Sequence, residues 1–369
     1  MGRVHISRLM PGMVLDNDVY NSSDQLILPE GLTLTDKSIA KLTYYGINSA
    51  SVANQPDSPE LFEEEENPIV EAGEEASYSQ RLKQTEEYKE FKKNYESTVN
   101  DLQSFLSDVV EKNLPPDTSN IMAKVTEMLH PIGGGSVNVF DMIRNMKHFD
   151  DLTYVHCLNV GLICNVFAKW LGMSEEEIEL ATQCGILHDI GKLKIPEEII
   201  KKPSKLTDEE FRTIKSHPYE GYKLLKNADL DEHIKKAALQ HHEKVDGSGY
   251  PVGLKADKID EYAKLVCIAD IYEAMTAVRI YRGSLSPFQV IEAFETEGLQ
   301  KYDPRMIMVF LENTVNTYLL NSVKLSDGRE GVVVFINKNK MSRPMVKCGD
   351  EFIDLSKEEN LNISIISIL

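Results

Sequence analysis

The 369-residue sequence predicts a mainly α-helical protein, in which a helical central domain lies between two small β-rich modules. Residues 121–320 contain helix-start signals such as Ser174 followed three positions later by Glu177, which is the pattern of a capping box. Both ends of the chain instead show short apolar runs separated by turn residues, which is typical of β-strands. A chain of this length that is 42% hydrophobic can form more than one domain with a buried core.

The first β-rich module is predicted over residues 1–55. Turn pairs such as Pro11-Gly12 separate its apolar stretches. We expect strands at Gln25–Leu28 and Ile47–Val52, with a helix at Thr35–Tyr45 between them. The module should therefore be small and only partly helical.

The net charge of −19 is unevenly distributed along the chain. Residues 1–120 carry −12, residues 121–320 carry −7, and residues 321–369 are neutral overall. The densest acidic stretch lies in residues 56–77, which we interpret as a solvated linker, with an acidic docking surface as the alternative. Proteins that bind nucleic-acid polymers or anionic membranes meet phosphates with basic surfaces, so we expect neither as a partner.

A connector helix is predicted within residues 78–120. Its apolar and semi-apolar residues are spaced alternately by three and four positions, as in a coiled-coil stripe: Tyr88, Phe91, Tyr95, Thr98, Leu102, Phe105 and Val109. Such a helix could lie on the following domain, or it could form a homodimer through residues 88–109. The prolines of Leu114-Pro115-Pro116 should end it.

The central helical domain is predicted over residues 121–321. Beside Ser174, the pair Thr207 and Glu210 and the pair Ser286-Pro287 mark helix starts. From residue 322 to residue 369 the pattern changes to strand-like runs at 331–336, 344–347 and 351–354. These runs predict a second small β unit at the end of the chain.

The five cysteines show no C-x-x-C spacing, and we expect reduced, mostly buried thiols: Cys157, Cys164, Cys184, Cys267 and Cys348. The sequence has no run of 18 apolar residues and no apolar leader at its first residues. A soluble protein in the cytoplasm is therefore expected.

Histidine and aspartate residues in the central domain suggest a metal site. Five of the nine histidines fall within one part of the chain: His156, His188, His217, His241 and His242. Asp189 follows the second of them, and Asp270 stands in an apolar helical run where an uncompensated carboxylate would be costly. Imidazole and carboxylate ligands suit Fe, Mn, Zn or Co, and a shared carboxylate can hold two ions close together. Such a pair favours hydrolysis of a phosphate ester.

These residues belong to a longer pattern with four blocks: His188–Lys192, His241–Pro251, Ala269–Thr276 and Arg279–Arg282. In this order the blocks resemble the HD-GYP family, a branch of the HD phosphohydrolases that hydrolyses cyclic di-GMP. The match covers about residues 121–320 and implies a helical HD-type domain. The stretch Leu9–Met13 resembles the accessory module often found before such domains.

Carried over position by position, the resemblance implies two divalent metal ions per chain, iron or manganese. One ion would be held by His156, His188, Asp189 and Asp270. The second ion, bridged by Asp189, would be held by His217, His241 and His242. Asp189 and Lys192 would be the catalytic residues, because Lys192 would bind the scissile phosphate and help to position the attacking hydroxide.

The resemblance also implies contacts with the remainder of the nucleotide. Tyr250, Arg279 and Arg282 would provide them, together with the turn at Gly249. Gly247 and Gly249 would let this loop approach the site closely, since glycine has no Cβ to clash.

The sequence departs from the family pattern at three positions. Some members have a Glu one helical turn before the first histidine that recruits a third metal, but this position is Leu152 here, so two ions are expected. Glu273 replaces an Asp, and Ile280 replaces the Pro of the Arg-Pro-Tyr-Arg segment. We expect both to shift substrate geometry without touching the metals.

The predicted reaction is hydrolysis of the 3′-5′ phosphodiester of cyclic di-GMP to pGpG by a hydroxide that two metals activate. Whether GMP is a second product is left open. The alternatives are a phosphodiesterase of another cyclic dinucleotide, such as 3′,3′-cGAMP, and a weakly active cyclic-dinucleotide receptor or interaction module. The complete ligand set argues against a pure receptor, which would not need it.

Overall fold

The computed structural model describes residues 2–5, 12–20, 26–35, 38, 42, 49–53, 82–129, 139–146, 152–202, 204–277 and 285–369. The chain forms two compact units, residues 1–77 and residues 78–369. The predicted linker at 56–77 and most of the predicted helix at 35–45 lie outside the described residues.

The first unit contains two antiparallel strand pairs. Strand β1 (Gly2–His5) pairs with β4 (Ser49–Val52), and β2 (Val19–Tyr20) pairs with β3 (Leu26–Leu28). Its buried apolar side chains form their own cluster: Met13, Leu15, Val19, Ile27, Leu28, Leu34, Leu42, Ala50 and Val52. Strands β3 and β4 confirm the two predicted strands of a small β-rich module.

The second unit opens with the long helix α1 (Glu86–Glu111). The side chain of its N-cap, Thr85, accepts a hydrogen bond from the backbone N–H of Tyr88. The buried face of α1 includes Val99 and Leu106, whereas Phe105 is only partly buried. This face follows the 3.6-residue period of a helix on a globular core rather than the 3.5-residue period of a coiled coil.

The apolar face of α1 packs on the chain's own helices, as expected for a helix that lies on the following domain. Tyr95 and Leu102 are fully buried there. A homodimer through residues 88–109 would need the same face, so the structure gives no support to that alternative. The predicted division of residues 78–369 at 120 and at 321 stays a prediction, because one continuous core connects these segments.

Helices account for most of the second unit. They are α2 (Ser119–Leu129), α3 (Val139–Asn145), α4 (Leu152–Trp170), α5 (Glu175–Leu187), a 3₁₀ helix (Ile190–Lys194), α6 (Glu197–Ile200), α7 (Asp208–Ile214), α8 (His217–Leu225), α9 (Glu232–Gln240), a 3₁₀ helix (Ala256–Lys258), α10 (Glu261–Thr276), α11 (Pro287–Ala293), a π-helical turn (Phe294–Gly298), α12 (Leu299–Lys301) and α13 (Pro304–Thr317). The predicted capping boxes begin α5 at Ser174 and α7 at Thr207, and the predicted N-cap Ser286 begins α11, where it also forms a capping box with Gln289.

Helices α4 and α5 cross closely because glycines meet at the crossing. A Cβ built on Gly185 would lie 2.8 Å from Gly161 Cα and 2.9 Å from Cys164 Sγ. Only a hydrogen atom fits between the two backbones. This crossing holds α4 against the end of α5, where the predicted site begins.

The last part of the chain forms a five-stranded antiparallel sheet with the order β8-β7-β6-β5-β9. Its strands are β5 (Ser322–Leu325), β6 (Glu330–Phe335), β7 (Met345–Cys348), β8 (Glu351–Asp354) and β9 (Ile365–Ile368). The three predicted strands are confirmed as β6, β7 and β8, and β5 and β9 were missed. Ser286 Oγ, at the start of α11, donates a 2.7 Å hydrogen bond to the carbonyl of Ile365 in β9.

The predicted fold class, mainly helical with small β-rich parts at both ends, is confirmed. All five cysteines are free thiols, and four of them are buried. Across the described ranges, no helix combines the length and the apolar character that a membrane span requires.

Candidate metal centre

The seven predicted ligand residues come together at the junction of five helices. His156 lies on α4, His188 and Asp189 follow α5, His217 begins α8, His241 and His242 follow α9, and Asp270 lies on α10. The exposed fraction of most of them is below one tenth, although His242 is partly exposed. Residues that are up to 114 positions apart in sequence thus form one polar cluster inside an apolar core.

Asp189 is shared by two groups of candidate ligands. One group is Asp189 with His156 and His188, and the other is Asp189 with His217, His241 and His242; the donor atoms within each group lie within 4.8 Å of one another. Asp189 Oδ2 is 3.3 Å from Nε2 of both His156 and His188. Its other oxygen, Oδ1, is 3.1 Å from His217 Nε2. Each carboxylate oxygen therefore faces a different group, which is the arrangement of a bridging ligand.

Asp270 also contacts both groups. Its Oδ1 is 3.1 Å from His156 Nε2, and its Oδ2 is 3.7 Å from His242 Nδ1. The shorter distance puts Asp270 nearest to the His156 group, to which the sequence assigned it. The cluster therefore compensates the carboxylate that looked isolated in the apolar sequence of α10.

Backbone hydrogen bonds define which ring nitrogens carry a proton. Nδ1 of His188, His217 and His241 lies 2.6, 2.7 and 3.1 Å from a backbone carbonyl oxygen in the preceding helical turn. A carbonyl oxygen can only accept a hydrogen bond, so each Nδ1 must carry the proton and donate it. In the neutral ring, Nε2 then has a free lone pair. Such orientation by the second ring nitrogen is typical of metal-binding histidines.

The resulting lone pairs face one another. Nε2 of His217 and Nε2 of His241 are 3.2 Å apart, too close for two acceptors unless a cation lies between them. Metal–nitrogen bonds of ~2.0–2.1 Å would separate two ligand nitrogens by roughly 3.0–3.4 Å, which agrees with this distance. Within the described part of the chain, His156 Nε2, His188 Nε2 and Asp189 Oδ1 are buried without a hydrogen-bond partner. The residues present therefore fit divalent metal ions.

The protonation states also suit metal binding. Burial raises the pKa of Asp189, but Lys192 and His188 outweigh it and hold the pKa well below the ordinary value. Burial likewise raises the pKa of Asp270, but the neighbouring rings of His156, His242 and His188 outweigh it and hold the pKa well below the ordinary value. Both carboxylates are therefore ionised at neutral pH.

The histidines of the second group are neutral at the same pH. Burial lowers the pKa of His217 and His241 and lowers the pKa of His242 further. Because the neutral ring is the form that binds metal, burial prepares these three side chains as ligands.

His156 differs from the other histidines because a carboxylate orients its ring. Its Nδ1 is 2.6 Å from Glu273 Oε2, and Glu273 Oε1 accepts a 2.9 Å hydrogen bond from Asn159 Nδ2. Asn159 Oδ1 in turn accepts a 2.6 Å hydrogen bond from the hydroxyl of Tyr95 on α1. Glu273 belongs to neither candidate ligand group, but it contacts a member of one, and its expected effect on substrate geometry stays a prediction.

Lys192 lies beside the shared carboxylate. Its Nζ contacts Asp189 Oδ2, and about one quarter of its side chain remains exposed. Burial lowers the pKa of Lys192, but Asp189 and Asp270 raise it above the ordinary value, so the ammonium stays charged. The 3₁₀ helix that carries Lys192 packs closely on α8, because a Cβ on Gly191 would lie 2.0 Å from the carbonyl oxygen of His217.

The loop after His242 folds back on the cluster. The ring of Tyr250 stacks on the ring of His242, with centroids 4.6 Å apart and an interplanar angle of 28°. A Cβ on Gly249 would lie 2.4 Å from Glu243 Cα, so this position accepts only glycine without movement, as predicted. Gly247 has φ +85°, which also favours glycine. The predicted substrate residues Arg279 and Arg282, with Ile280, lie outside the described residues.

Glu243 is a residue whose role the sequence did not reveal. Its side chain is buried, and its carboxylate accepts hydrogen bonds from the backbone N–H groups of Val252, Gly253 and Leu254 at 2.8–3.2 Å. A charged side chain that accepts three backbone hydrogen bonds holds the loop containing Tyr250 in one conformation. No sequence pattern around Glu243 indicates that its carboxylate binds backbone N–H groups nine to eleven residues later.

The part of the chain that contains this cluster is similar to known proteins. Residues 140–306 match the family model described as an HD domain. A cyclic di-GMP phosphodiesterase of Pseudomonas aeruginosa is 32% identical over 212 residues, which are 57% of this chain and 51% of that protein. One of Thermotoga maritima is 36% identical over 180 residues, covering 47% and 48%. A 3′3′-cGAMP-specific phosphodiesterase of Vibrio cholerae is 35% identical over 170 residues, covering 46% and 39%.

The helical fold, the family match and the histidine–aspartate cluster define the central domain as an HD domain with a divalent metal site. The two relatives named cyclic di-GMP phosphodiesterases agree with the resemblance to the HD-GYP family found in the sequence. The chain spans about half the length, or less, of the three relatives.

Proposed function

We propose that the protein is a metal-dependent phosphodiesterase that hydrolyses cyclic di-GMP to pGpG. The observation that carries this proposal is the pair of ligand groups that share Asp189, in which imidazole lone pairs face one another across 3.2 Å. Two iron or manganese ions per chain suit this mixture of imidazole and carboxylate ligands. When bound, they would supply hydroxide at neutral pH and neutralise charge that develops on the phosphoryl oxygens.

The ligands of the first ion would be His156, His188, Asp189 and Asp270, and those of the second would be Asp189, His217, His241 and His242. Both carboxylates are ionised, and the three histidines of the second group are neutral, so these side chains can bind a cation at neutral pH. Leu152 at the start of α4 offers no further carboxylate, which supports two ions rather than three.

Lys192 supplies positive charge to the substrate phosphate. Its ammonium lies beside Asp189, remains charged, and is partly exposed. A non-bridging phosphate oxygen at the cluster can therefore accept a charge-assisted hydrogen bond from Lys192. Tyr250 stays a phenol, because burial raises its pKa, and its hydroxyl can donate to the same ligand.

The proposal is tested by incubating anaerobically purified protein with cyclic di-GMP and Mn²⁺ or Fe²⁺, and following pGpG and GMP by chromatography. A metal ratio near two per chain is expected in the same preparation. Asp189→Ala should lose metal and activity together, because both ligand groups lose their shared residue. No turnover with either metal, although metal and cyclic di-GMP bind, would contradict the proposal and favour a receptor.

Lys192→Met has a matched control in the same 3₁₀ helix. Lys194 is exposed, and its Nζ donates a 3.2 Å hydrogen bond to the carbonyl of Val110 rather than facing the cluster. We expect Lys192→Met to lower kcat at least about 100-fold with metal retained, and Lys194→Met to leave kcat unchanged. Equal effects of the two variants would contradict the role given to Lys192.

A phosphodiesterase of 3′,3′-cGAMP is the second candidate, because one of the relatives is specific for that substrate. Parallel measurements of kcat/KM with cyclic di-GMP and 3′,3′-cGAMP distinguish the two candidates. A higher kcat/KM for cyclic di-GMP than for 3′,3′-cGAMP supports the first proposal, and a lower one supports the second.

A further inference from the structure

A row of stacked side chains leads outward from the candidate metal centre. The ring of His242 stacks on Tyr250 at 4.6 Å. The Nζ atom of Lys215 lies 4.8 Å from the ring centroid of Tyr250 and 4.8 Å from that of Phe211. The row therefore joins a candidate metal ligand to the aromatic side chain of Phe211 on α7.

The outer end of the row is open to a ligand. Half of Phe211 is exposed although the ring already contacts Lys215. Among the residues that the structure describes, no carboxylate lies within 4.0 Å of Lys215 Nζ, whereas Lys223 pairs with Glu220 at 2.6 Å. An uncompensated ammonium and an exposed aromatic ring thus stand side by side in a chain of net charge −19.

We propose that Phe211 and Lys215 form a purine subsite for one base of the cyclic dinucleotide, an inference that rests on the proposed function. Exposed aromatic rings bind nucleobases by stacking, which is common where proteins hold unpaired nucleotides. The lysine ammonium donates hydrogen bonds and accepts none. It therefore matches the O6 and N7 acceptors of guanine, which lie on the same edge of the base.

This subsite selects guanine over adenine. Adenine presents an N6 amino donor where guanine presents the O6 acceptor. The ammonium of Lys215, which is itself a donor, then faces another donor and has only N7 as an acceptor. A glutamine at the same position offers both an acceptor and a donor and suits adenine N6 and N7. Lys215→Gln should therefore lower the preference for cyclic di-GMP over cyclic di-AMP, which has no guanine to place in the subsite.

The test uses the metal-loaded protein and compares cyclic di-GMP with bis(p-nitrophenyl) phosphate, a diester that has no nucleobase. Phe211→Ala should raise KM for cyclic di-GMP at least about fivefold, because stacking on an aromatic ring accounts for a factor of this order. Hydrolysis of the base-free diester should stay within twofold, and Phe211→Trp should restore KM. Calorimetry on the same variants should show the loss as weaker binding of cyclic di-GMP.

Tyr219→Ala is the matched control. Tyr219 is an exposed aromatic residue under a lysine, since Lys223 Nζ lies 5.1 Å from its ring centroid, but that lysine is paired with Glu220. The variant should leave KM unchanged. The inference is overturned if Phe211→Ala leaves KM and binding within twofold, if it slows both diesters equally, or if Tyr219→Ala has the same effect.

The same measurements distinguish failure of the purine subsite from failure of the proposed phosphodiesterase function. Normal turnover of cyclic di-GMP by every variant overturns the subsite and leaves the phosphodiesterase proposal standing. If the unmodified protein binds cyclic di-GMP without turnover, weaker binding by Phe211→Ala still supports the subsite while the phosphodiesterase proposal fails. If it neither binds nor hydrolyses cyclic di-GMP, both are overturned.

Discussion

Removing one hydroxyl group on α1 should weaken metal binding at a site to which this helix contributes no candidate ligand. Tyr95 is fully buried, and its hydroxyl donates to Asn159, which donates to Glu273, whose carboxylate orients His156. Burial and the Glu273 carboxylate raise the pKa of Tyr95, so the phenol keeps its proton and remains a donor. Tyr95→Phe removes only this donor and keeps the ring that packs in the core.

The size of the effect follows from the position of Tyr95 in this network. Loss of one buried hydrogen bond that leaves an acceptor unsatisfied costs ~1–3 kcal/mol of stability. A partner bonded directly to a metal ligand typically contributes ~10- to 100-fold in metal affinity, so Glu273→Gln should show a loss of that order. Tyr95 acts through two further hydrogen bonds, and we expect Tyr95→Phe to lose roughly 3- to 10-fold.

The assay measures Mn²⁺ affinity of chelator-treated protein by competition with a fluorescent chelator, and Tm of the metal-free protein. Tyr318→Phe is the control, because it removes a buried hydroxyl that makes a 2.9 Å hydrogen bond with Tyr272. It should lower Tm to a similar extent while Mn²⁺ affinity stays unchanged. If Tyr95→Phe also lowers Tm without weakening Mn²⁺ binding, the network stabilises packing only, and the reasoning is refuted.

Three further predictions concern the site. Gly191→Ala places a Cβ 2.0 Å from the carbonyl oxygen of His217, so α8 must move. Metal analysis should then show fewer metal ions per chain than in the unmodified protein. An unchanged number of metal ions per chain and an unchanged Tm would contradict the close packing. Glu243→Gln weakens three hydrogen bonds to the loop at residues 252–254, so KM for cyclic di-GMP should rise about 3- to 10-fold with metal content unchanged. If the variant and the unmodified protein have the same KM, Glu243 does not hold the loop for substrate binding. Burial lowers the pKa of His156, but Glu273, Asp189 and Asp270 raise it well above its ordinary value, so a proton competes with the metal. Mn²⁺ affinity should therefore fall by up to about tenfold per pH unit on acidification below that pKa, as isothermal titration at several pH values would show, and a pH-independent affinity would exclude this competition.

The identities of the candidate ligands could be predicted from sequence because they belong to short blocks with a specific order. His188 and Asp189 are adjacent, and so are His241 and His242, so local sequence already reports them. The helix starts at Ser174, Thr207 and Ser286 could be predicted for the same reason, since a capping box or a Ser-Pro pair involves residues at most three positions apart.

Interactions between distant segments depended on tertiary structure. The contact of Glu273 with His156 spans 117 positions, and that of Tyr95 with Asn159 spans 64, so no local pattern indicates either. The spacing along α1 left a dimer and an internal helix as equal alternatives, because an apolar stripe does not specify what covers it. The folded chain covers this face itself, and through Tyr95 the same helix reaches the network that orients a candidate metal ligand.

The sequence alone thus predicted the helical class, the resemblance to the HD-GYP family and the candidate ligands, because these depend on residue types at short spacings. Only the tertiary structure decided that the two oxygens of Asp189 face different histidine groups and that Lys215 bridges Tyr250 and Phe211. Both results depend on the direction in which side chains point after distant helices pack, which no spacing along the chain specifies.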